Sequence, residues 1–215
     1  ISLLGVPQAG CCGALSQHLD AQDEALDFAR RNIDAWWPLL EQGAEAIVMT
    51  ASGCGVMVKD YAHLLRHDRA YAAKAARVSA ATQDLAEILA AEGRSLAPIA
   101  GRPRVAFQSP CTLQHGQKLG GVVEGLLQCA GFELVPVADG HLCCGSAGTY
   151  SLLQPALSQR LRDDKLRALH SGKPELIATA NIGCLHHLQA KSAVPVLHWI
   201  ELLDDRGTAA SSERP

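Results

Sequence analysis

"AEAIVMTASGCG" at residues 44–55 and "PELIATANIGCL" at residues 174–185 are two versions of one pattern, and their kinship decides the fold. Each is an apolar, strand-like run that ends in Ala or Asn, two further residues and a cysteine. A double cysteine precedes each run, in "AGCCGAL" (9–15) and in "HLCCGSA" (141–147). Cys12 and Cys144 are 132 positions apart, and Cys54 and Cys184 are 130 apart. Paired landmarks at nearly equal offsets indicate an internal duplication.

The second copy has a preface that the first lacks. "RPRVAFQSPCTLQHG" (102–116) reads as an apolar strand running into Cys111. A helix-period stretch over 112–131 and a second strand, "FELVPV" (132–137), follow. The first copy enters at "ISLLGVP", which matches only that second strand. Its own first strand, cysteine and helix are expected to lie ahead of Ile1, so the chain reads as a C-terminal piece of a longer protein.

Between the landmarks the periodicity is helical. Residues 21–41 carry Ala25, Phe28, Ala29, Ile33, Trp36, Trp37 and Leu40 at helical spacing, with Asp20 as the expected N-cap and Gly43 just past the end. Pro38 predicts a kink or break near the last turn. Residues 55–67, 69–92 and 151–170 read as further helices, and 194–205 as a short strand followed by a terminal helix. The Gly, Pro and Ser of 92–104 mark a connection. Strands alternating with helices predict an α/β fold with mostly parallel sheets. The expected organisation is two tandem domains, 1–95 and 102–205, each a small sheet flanked by helices, the first truncated at its N-terminus, with a polar tail at 206–215.

Composition narrows the function. An apolar fraction of 48% supports a packed core, and a net charge of −3 with no basic stripe argues against nucleic acid. No stretch reaches the roughly 20 apolar residues of a membrane helix. Neither a GxGxxG, a P-loop, a GxSxG nor an HExxH pattern occurs.

The eight cysteines stand at 11, 12, 54, 111, 129, 143, 144 and 184. Their grouping favours metal or redox chemistry over a disulfide framework. Adjacent cysteines bridge each other poorly, so each of Cys143 and Cys144 needs another partner. Cys54, Cys111 and Cys184 each follow an expected strand, and the CC pairs follow one by a short interval, so all can reach the sheet edge where strand C-termini gather. The second copy then offers Cys111, Cys143, Cys144 and Cys184, enough for a [4Fe–4S] cluster or for Zn²⁺. The first offers Cys11, Cys12 and Cys54, an incomplete set. Cys129, in "LLQCAGF", reads as a buried apolar residue. His115, His141, His186 and His187 flank the second set and read as its polar rim, with His115 and His186 the first substitutes in a zinc site. Lys59 and Asp60 read as solvated helix surface.

A lone Cys in "SPC" (109–111), "CCG" at 143–145 and "NIGC" at 181–184, with "CCG" at 11–13 and "ASGC" at 51–54, resemble the CCG, or cysteine-rich, domain family. Such tandem domains occur in heterodisulfide reductase subunits, lactate-utilisation proteins, anaerobic glycerol-3-phosphate dehydrogenase subunits and iron–sulfur subunits of glycolate oxidases. The last kind is similar along nearly the whole chain, including "SPCTLQHGQKLGG" (109–121). That resemblance implies an electron-transfer subunit with a ferredoxin-like part upstream. Its implied partners are FAD-containing glycolate oxidase subunits that oxidise glycolate to glyoxylate, and its implied acceptor is a membrane quinone pool. It also implies a cytoplasmic place, peripheral on the inner face of the membrane, and an enzyme only as a complex, with no catalytic residue on this chain. Relatives with a full Cys-x-x-Cys closure have another cysteine where this chain has Ala51 and Asn181, so disulfide-reducing chemistry is not carried over. The rival reading is a structural or docking module of the lactate-utilisation or glycerol-3-phosphate dehydrogenase type, holding zinc or only packed thiols.

Overall fold

The computed structural model describes residues 2–92 and 101–204. The chain divides into two compact units, Ile1–Leu85 and Ala86–Pro215. The expected connection falls largely on 93–100 and the tail on 206–215, both outside the described residues.

In the first unit the order is α1 (Ala14–His18), α2 (Gln22–Glu41), β1 (Ile47–Met49), α3 (Ser52–Lys59), α4 (Tyr61–Leu64), α5 (Ala72–Ala81) and β2 (Thr82–Asp84), after which α6 (Leu85–Ala91) begins. The apolar stripe of α2 is buried at Ala25, Ala29, Ile33, Trp36 and Leu40. It packs with Met57, Val58, Tyr61, Leu65, Ala75 and Val78. Each large side chain buried there stabilises the unit by about 1.5–3 kcal/mol.

Several expected details differ. Ala21, not Asp20, caps α2; Asp20 sits at φ 62° and its carboxylate accepts from Gln22 Nε2 at 3.1 Å instead. The helix passes through Pro38 to Glu41, because the bond Pro38 removes lies close to an end held by Trp36 and Leu40. Gly43, at φ 99°, then turns the chain, and Ala44 N–H closes onto Leu39 O at 2.9 Å. The helix expected over 55–67 begins earlier, at Ser52, and breaks at Asp60. The Ala-rich stretch 69–92 is not one helix: β2 interrupts it, pairing parallel with β1 in the register Ile47↔Thr82 to Met49↔Asp84. A buried strand needs a backbone partner, and that need outweighs helix propensity here. Thr82 Oγ1 donates to Val78 O at 2.7 Å and ends α5. Residues 2–6 form no strand, so the match of "ISLLGVP" to a second strand does not hold among the described residues.

The second unit runs β3 (Arg104–Gln108), a π-helical turn (Thr112–Gly116), α7 (Val122–Cys129), β4 (Glu133–Leu134), α8 (Tyr150–Leu153), α9 (Pro155–His170), β5 (Leu176–Thr179), α10 (Ile182–Gln189), β6 (Val196–His198) and a 3-10 turn (Trp199–Leu203). The sheet order is β4-β3-β5-β6, every pair parallel. This is the expected α/β architecture: small parallel sheets flanked by helices. β5 is buried along its whole length and β3 along all but its first residue, as central parallel strands are. The chain leaves β3 toward β4 on one side and returns as β5 on the other, a topological switch point where a crevice opens at the strand C-termini.

The expected helix over 112–131 is split, with Lys118 at φ 60° and Gly121 at φ 86° turning the chain between its parts. The expected strand 132–137 contracts to two residues, so the CC pair begins nine residues after Leu134, further than the short interval expected. Pro155 starts α9 and separates it from α8. Cys129 is exposed, against expectation. It lies two residues beyond buried Leu127, on the opposite side of α7. No helix among the described residues is long and apolar enough to cross a membrane.

Candidate metal centre

The switch point of the second unit gathers cysteines from three segments. Cys111 opens the π-helical turn three residues after β3 ends at Gln108. Cys184 lies in the first turn of α10, just after β5. Cys143 and Cys144 sit on the loop between β4 and α8. Cys144 Sγ and Cys184 Sγ are 3.0 Å apart. Cys143 interacts through its sulfur with Cys111 on one side and with Cys144 on the other. The sulfurs therefore form a run, Cys111–Cys143–Cys144–Cys184, that passes from exposed through half-buried to buried. All eight cysteines are free thiols.

The run polarises its members. Hydrogen bonding from Cys111, then from Cys144, holds Cys143 well below the ordinary thiol value, and Gly145 N–H (3.3 Å from its sulfur) and the Lys165 charge add to this. Cys111 and Cys144, as donors to that thiolate, are pushed up, with burial adding to the shift at Cys144. Thiolate is the ligating form, so the set has ligand character.

The first unit repeats the arrangement in part. Hydrogen bonding from Cys12 lowers Cys54 to about 7 against the opposing effect of burial. Cys12 itself is pushed up by that bond and by burial. A cleft of about 240 Å³ opens beside them, lined by Cys11, Cys12, Cys54, Asn32, Trp36 and Met49 among others.

The glycine of each CCG triplet has a physical reason. Gly13 has φ 85° and Gly145 has φ 92°. A Cβ on Gly13 would meet Ala25 O of α2 at 2.9 Å, and one on Gly145 would meet Ser158 O of α9 at 2.4 Å. Each glycine lets the cysteine loop lie directly on the second helix after it, α2 or α9.

Polar side chains on those helices, on α4 and on the π-helical turn then hold the loops. In the first unit, fully buried Asn32 accepts from Gly10 N–H at 2.9 Å and donates to Cys11 O at 2.9 Å, while Tyr61 Oη donates to Cys12 O at 2.8 Å. In the second, Ser158 Oγ donates to Gly145 O at 2.7 Å and Lys165 Nζ donates to Gly140 O at 2.7 Å. Gln114 Nε2 reaches Ser109 O at 3.0 Å and Gly140 O at 3.3 Å, tying the Cys111 segment to the CC loop. Sequence reasoning missed Asn32, Tyr61, Ser158, Lys165 and Gln114. For Asn32 and Lys165 the available signal was a polar residue at a buried position of a helix with an apolar stripe. His115, His141 and His186 are exposed. His187 is different: its Nε2 lies 3.2 Å from Ser158 Oγ, within the clamp on Gly145.

Among the described residues, no three His, Cys, Asp or Glu side chains close around one point as a single-ion site requires. The donors are four free thiols from three segments, with a glycine N–H directed at one of them, a donor set whose chemistry fits a thiolate-bound metal–sulfur group.

A cysteine-rich domain model, CCG, matches residues 2–59 and 105–189, segments that contain every cysteine of both sets. The chain belongs to the CCG cysteine-rich domain family. This CCG chain is 54% identical over 204 residues to the glycolate oxidase iron-sulfur subunit of Escherichia coli (strain K12), covering 95% of this chain and 50% of that one. It is 30% identical over 191 residues to the probable glycolate oxidase iron-sulfur subunit of Bacillus subtilis (strain 168), covering 87% and 42%. Lactate utilization protein A of Geobacillus kaustophilus (strain HTA426) is 28% identical over 211 residues, covering 91% and 83%. The CCG chain thus spans half or less of the two glycolate oxidase subunits.

Proposed function

We propose that this chain is the CCG part of an electron-transfer iron–sulfur subunit in a glycolate-oxidising complex, with its two cysteine-rich domains at 1–95 and 102–205. Cys111, Cys143, Cys144 and Cys184 hold a [4Fe–4S] cluster, and Cys11, Cys12 and Cys54 form the incomplete ligand set of the first domain. A bound cluster supplies one-electron redox chemistry. The protein's own residues position the thiols, direct Gly145 N–H at a ligand sulfur and shield Cys144 and Cys184 from water. Oxidation of glycolate to glyoxylate belongs to FAD-containing partner subunits, and electrons leave toward a membrane quinone at the inner face of the cytoplasmic membrane. This chain then works as part of an enzyme without itself carrying the acid–base chemistry.

One observation carries this reading: four free thiols from three separate segments meet as a continuous run at the switch point of the sheet. The 54% identity to a glycolate oxidase iron-sulfur subunit supports the choice of complex. The test is anaerobic purification of the full-length protein, followed by iron, zinc and acid-labile sulfide analysis and electron paramagnetic resonance. Iron and sulfide with a reducible signal are expected. Zinc without labile sulfide would replace this reading with the structural, zinc-holding module.

A further inference from the structure

Lys165 is 2% exposed, among the most buried large side chains of the molecule. Lysines are almost never so buried unless paired. Its ammonium donates to Gly140 O at 2.7 Å and makes no ion pair with a carboxylate among the described residues. Gly140 belongs to the loop that carries Cys143 and Cys144, and the Lys165 charge favours the thiolate form of Cys143. Burial lowers its pKa, and thiolate charge at these cysteines pulls it back up. Its neighbours in α9, Leu166 and Leu169, belong to the same core cluster as Cys144 and Cys184.

The first unit isolates what is unusual about this residue. There the fully buried side chain of α2 that reaches the cysteine loop is Asn32, a neutral amide, and it holds a loop carbonyl at 2.9 Å. A neutral donor is therefore sufficient to hold such a loop. In the second unit Gly140 O also has a neutral donor, Gln114 Nε2 at 3.3 Å. The charge on Lys165 exceeds what hydrogen bonding requires, and burying an unpaired ammonium is costly. The cost is recovered when the neighbouring sulfurs carry negative charge.

We propose that Lys165 is the resident counter-cation of the second cysteine set, and that its charge raises the reduction potential of the centre held there. This rests on the reading of Cys111, Cys143, Cys144 and Cys184 as cluster ligands. One-electron reduction adds a negative charge to an already anionic thiolate-bound centre. A buried cation within range stabilises the reduced form more than the oxidised one. Lys165 is a positioning residue in this role, acting through the ligand sulfurs.

The test compares wild type, Lys165→Gln (neutral, still a donor) and Lys165→Met (neutral, no donor), each as the full-length protein purified anaerobically. Cys144→Ser identifies the second-set signal by its loss. Midpoint potentials come from redox titration followed by electron paramagnetic resonance. Melting temperatures are also measured after iron is stripped by chelation. Both neutral variants are expected to keep iron and sulfide and to show a tenfold or larger loss in the reduction equilibrium, a shift of about 59 mV to lower potential for one electron. The iron-free variants should melt no lower than iron-free wild type, since the one thiolate then left, Cys143, keeps its bonds from Cys111, Cys144 and Gly145 N–H without the Lys165 charge. Loss of the centre from both variants, with melting of the iron-free protein preserved, equally supports a required cation. An unchanged potential in Lys165→Gln, a shift confined to Lys165→Met, or lower melting of the iron-free variants overturns the proposal and makes Lys165 a structural clamp. Wild type without labile sulfide, or without a signal lost in Cys144→Ser, overturns the ligand reading itself.

Discussion

Cys144 Sγ lies 3.0 Å from Cys184 Sγ although 40 residues separate the two in the chain. That approach joins the CC loop to the first turn of α10 and completes the sulfur run. Replacing Cys144 with Ser removes the interior link. A serine hydroxyl ionises far less readily than a thiol and is a hard donor, a poor match for iron–sulfide. The expected result is loss of the second-set signal and of its iron and sulfide. Unchanged iron and sulfide content in Cys144→Ser would rule this cysteine out as a ligand.

The CCG glycine sets the loop on the helix, so Gly145→Ala should be severe. The left-handed backbone alone costs a non-glycine residue about 1–3 kcal/mol. The added Cβ would also stand 2.4 Å from Ser158 O, a backbone atom that cannot yield without moving α9. Denaturant unfolding should show destabilisation of at least about 2 kcal/mol, together with weaker retention of iron. Gly13→Ala should act in the same direction with less force, its closest approach being 2.9 Å to Ala25 O.

Asn32 is the hub of the first cysteine loop. Asn32→Ala would remove the acceptor of Gly10 N–H, one of the two donors to Cys11 O, which keeps Arg31 Nη2 at 3.4 Å, and the buried bond to Tyr61 Oη. Leaving buried groups unpaired costs about 1–3 kcal/mol each, partly relieved by relaxation. A loss of about 2 kcal/mol is expected for Asn32→Ala. Tyr61→Phe gives up the bond to Cys12 O (2.8 Å) while keeping the ring, and should cost about 1 kcal/mol. Equal effects of the two would contradict Asn32 as the hub.

Glu124 provides a pH-dependent test away from the cysteines. Burial raises its pKa, opposed by backbone N–H bonds from its own residue and Gly121, and Oε2 has no hydrogen-bond partner. The folded state therefore binds this proton more tightly than the unfolded state. Stability is fullest below the ordinary glutamate pKa of about 4.3 and falls as pH rises through the interval up to the raised folded value. Glu124→Gln removes that fall. The variant should melt higher than wild type near neutral pH, and the two should converge as pH approaches about 4. A constant difference across that range would show that the carboxyl does not titrate in this way.

Much of the site is visible in the letters because its parts repeat. The duplicated CCG triplets and the strand-then-cysteine runs ending at Cys54 and Cys184 mark sites without any knowledge of folding. The strongly amphipathic stretch 21–41 became α2 almost residue for residue. What failed to show were features that answer a partner distant in sequence. Thr82–Asp84 sits in an Ala-rich stretch of helical character and becomes a strand because Ile47–Met49 needs a neighbour. Cys129 looked buried by composition, yet it faces outward because Val123 and Leu127 set the orientation of α7.

Sequence alone determined the duplication, the alternation of strands and helices, and which cysteines belong to which set, since these depend on periodicity and spacing. Only the tertiary structure decided the order of the sulfurs, their descent from surface to core, and the side chains that hold their loops, Asn32 and Tyr61 in the first unit and, separately, Ser158, Gln114 and Lys165 in the second. Those features arise where segments far apart in the chain meet at the C-terminal edge of a parallel sheet. A side chain's chemistry there depends on what packs against it, which no local stretch of sequence encodes.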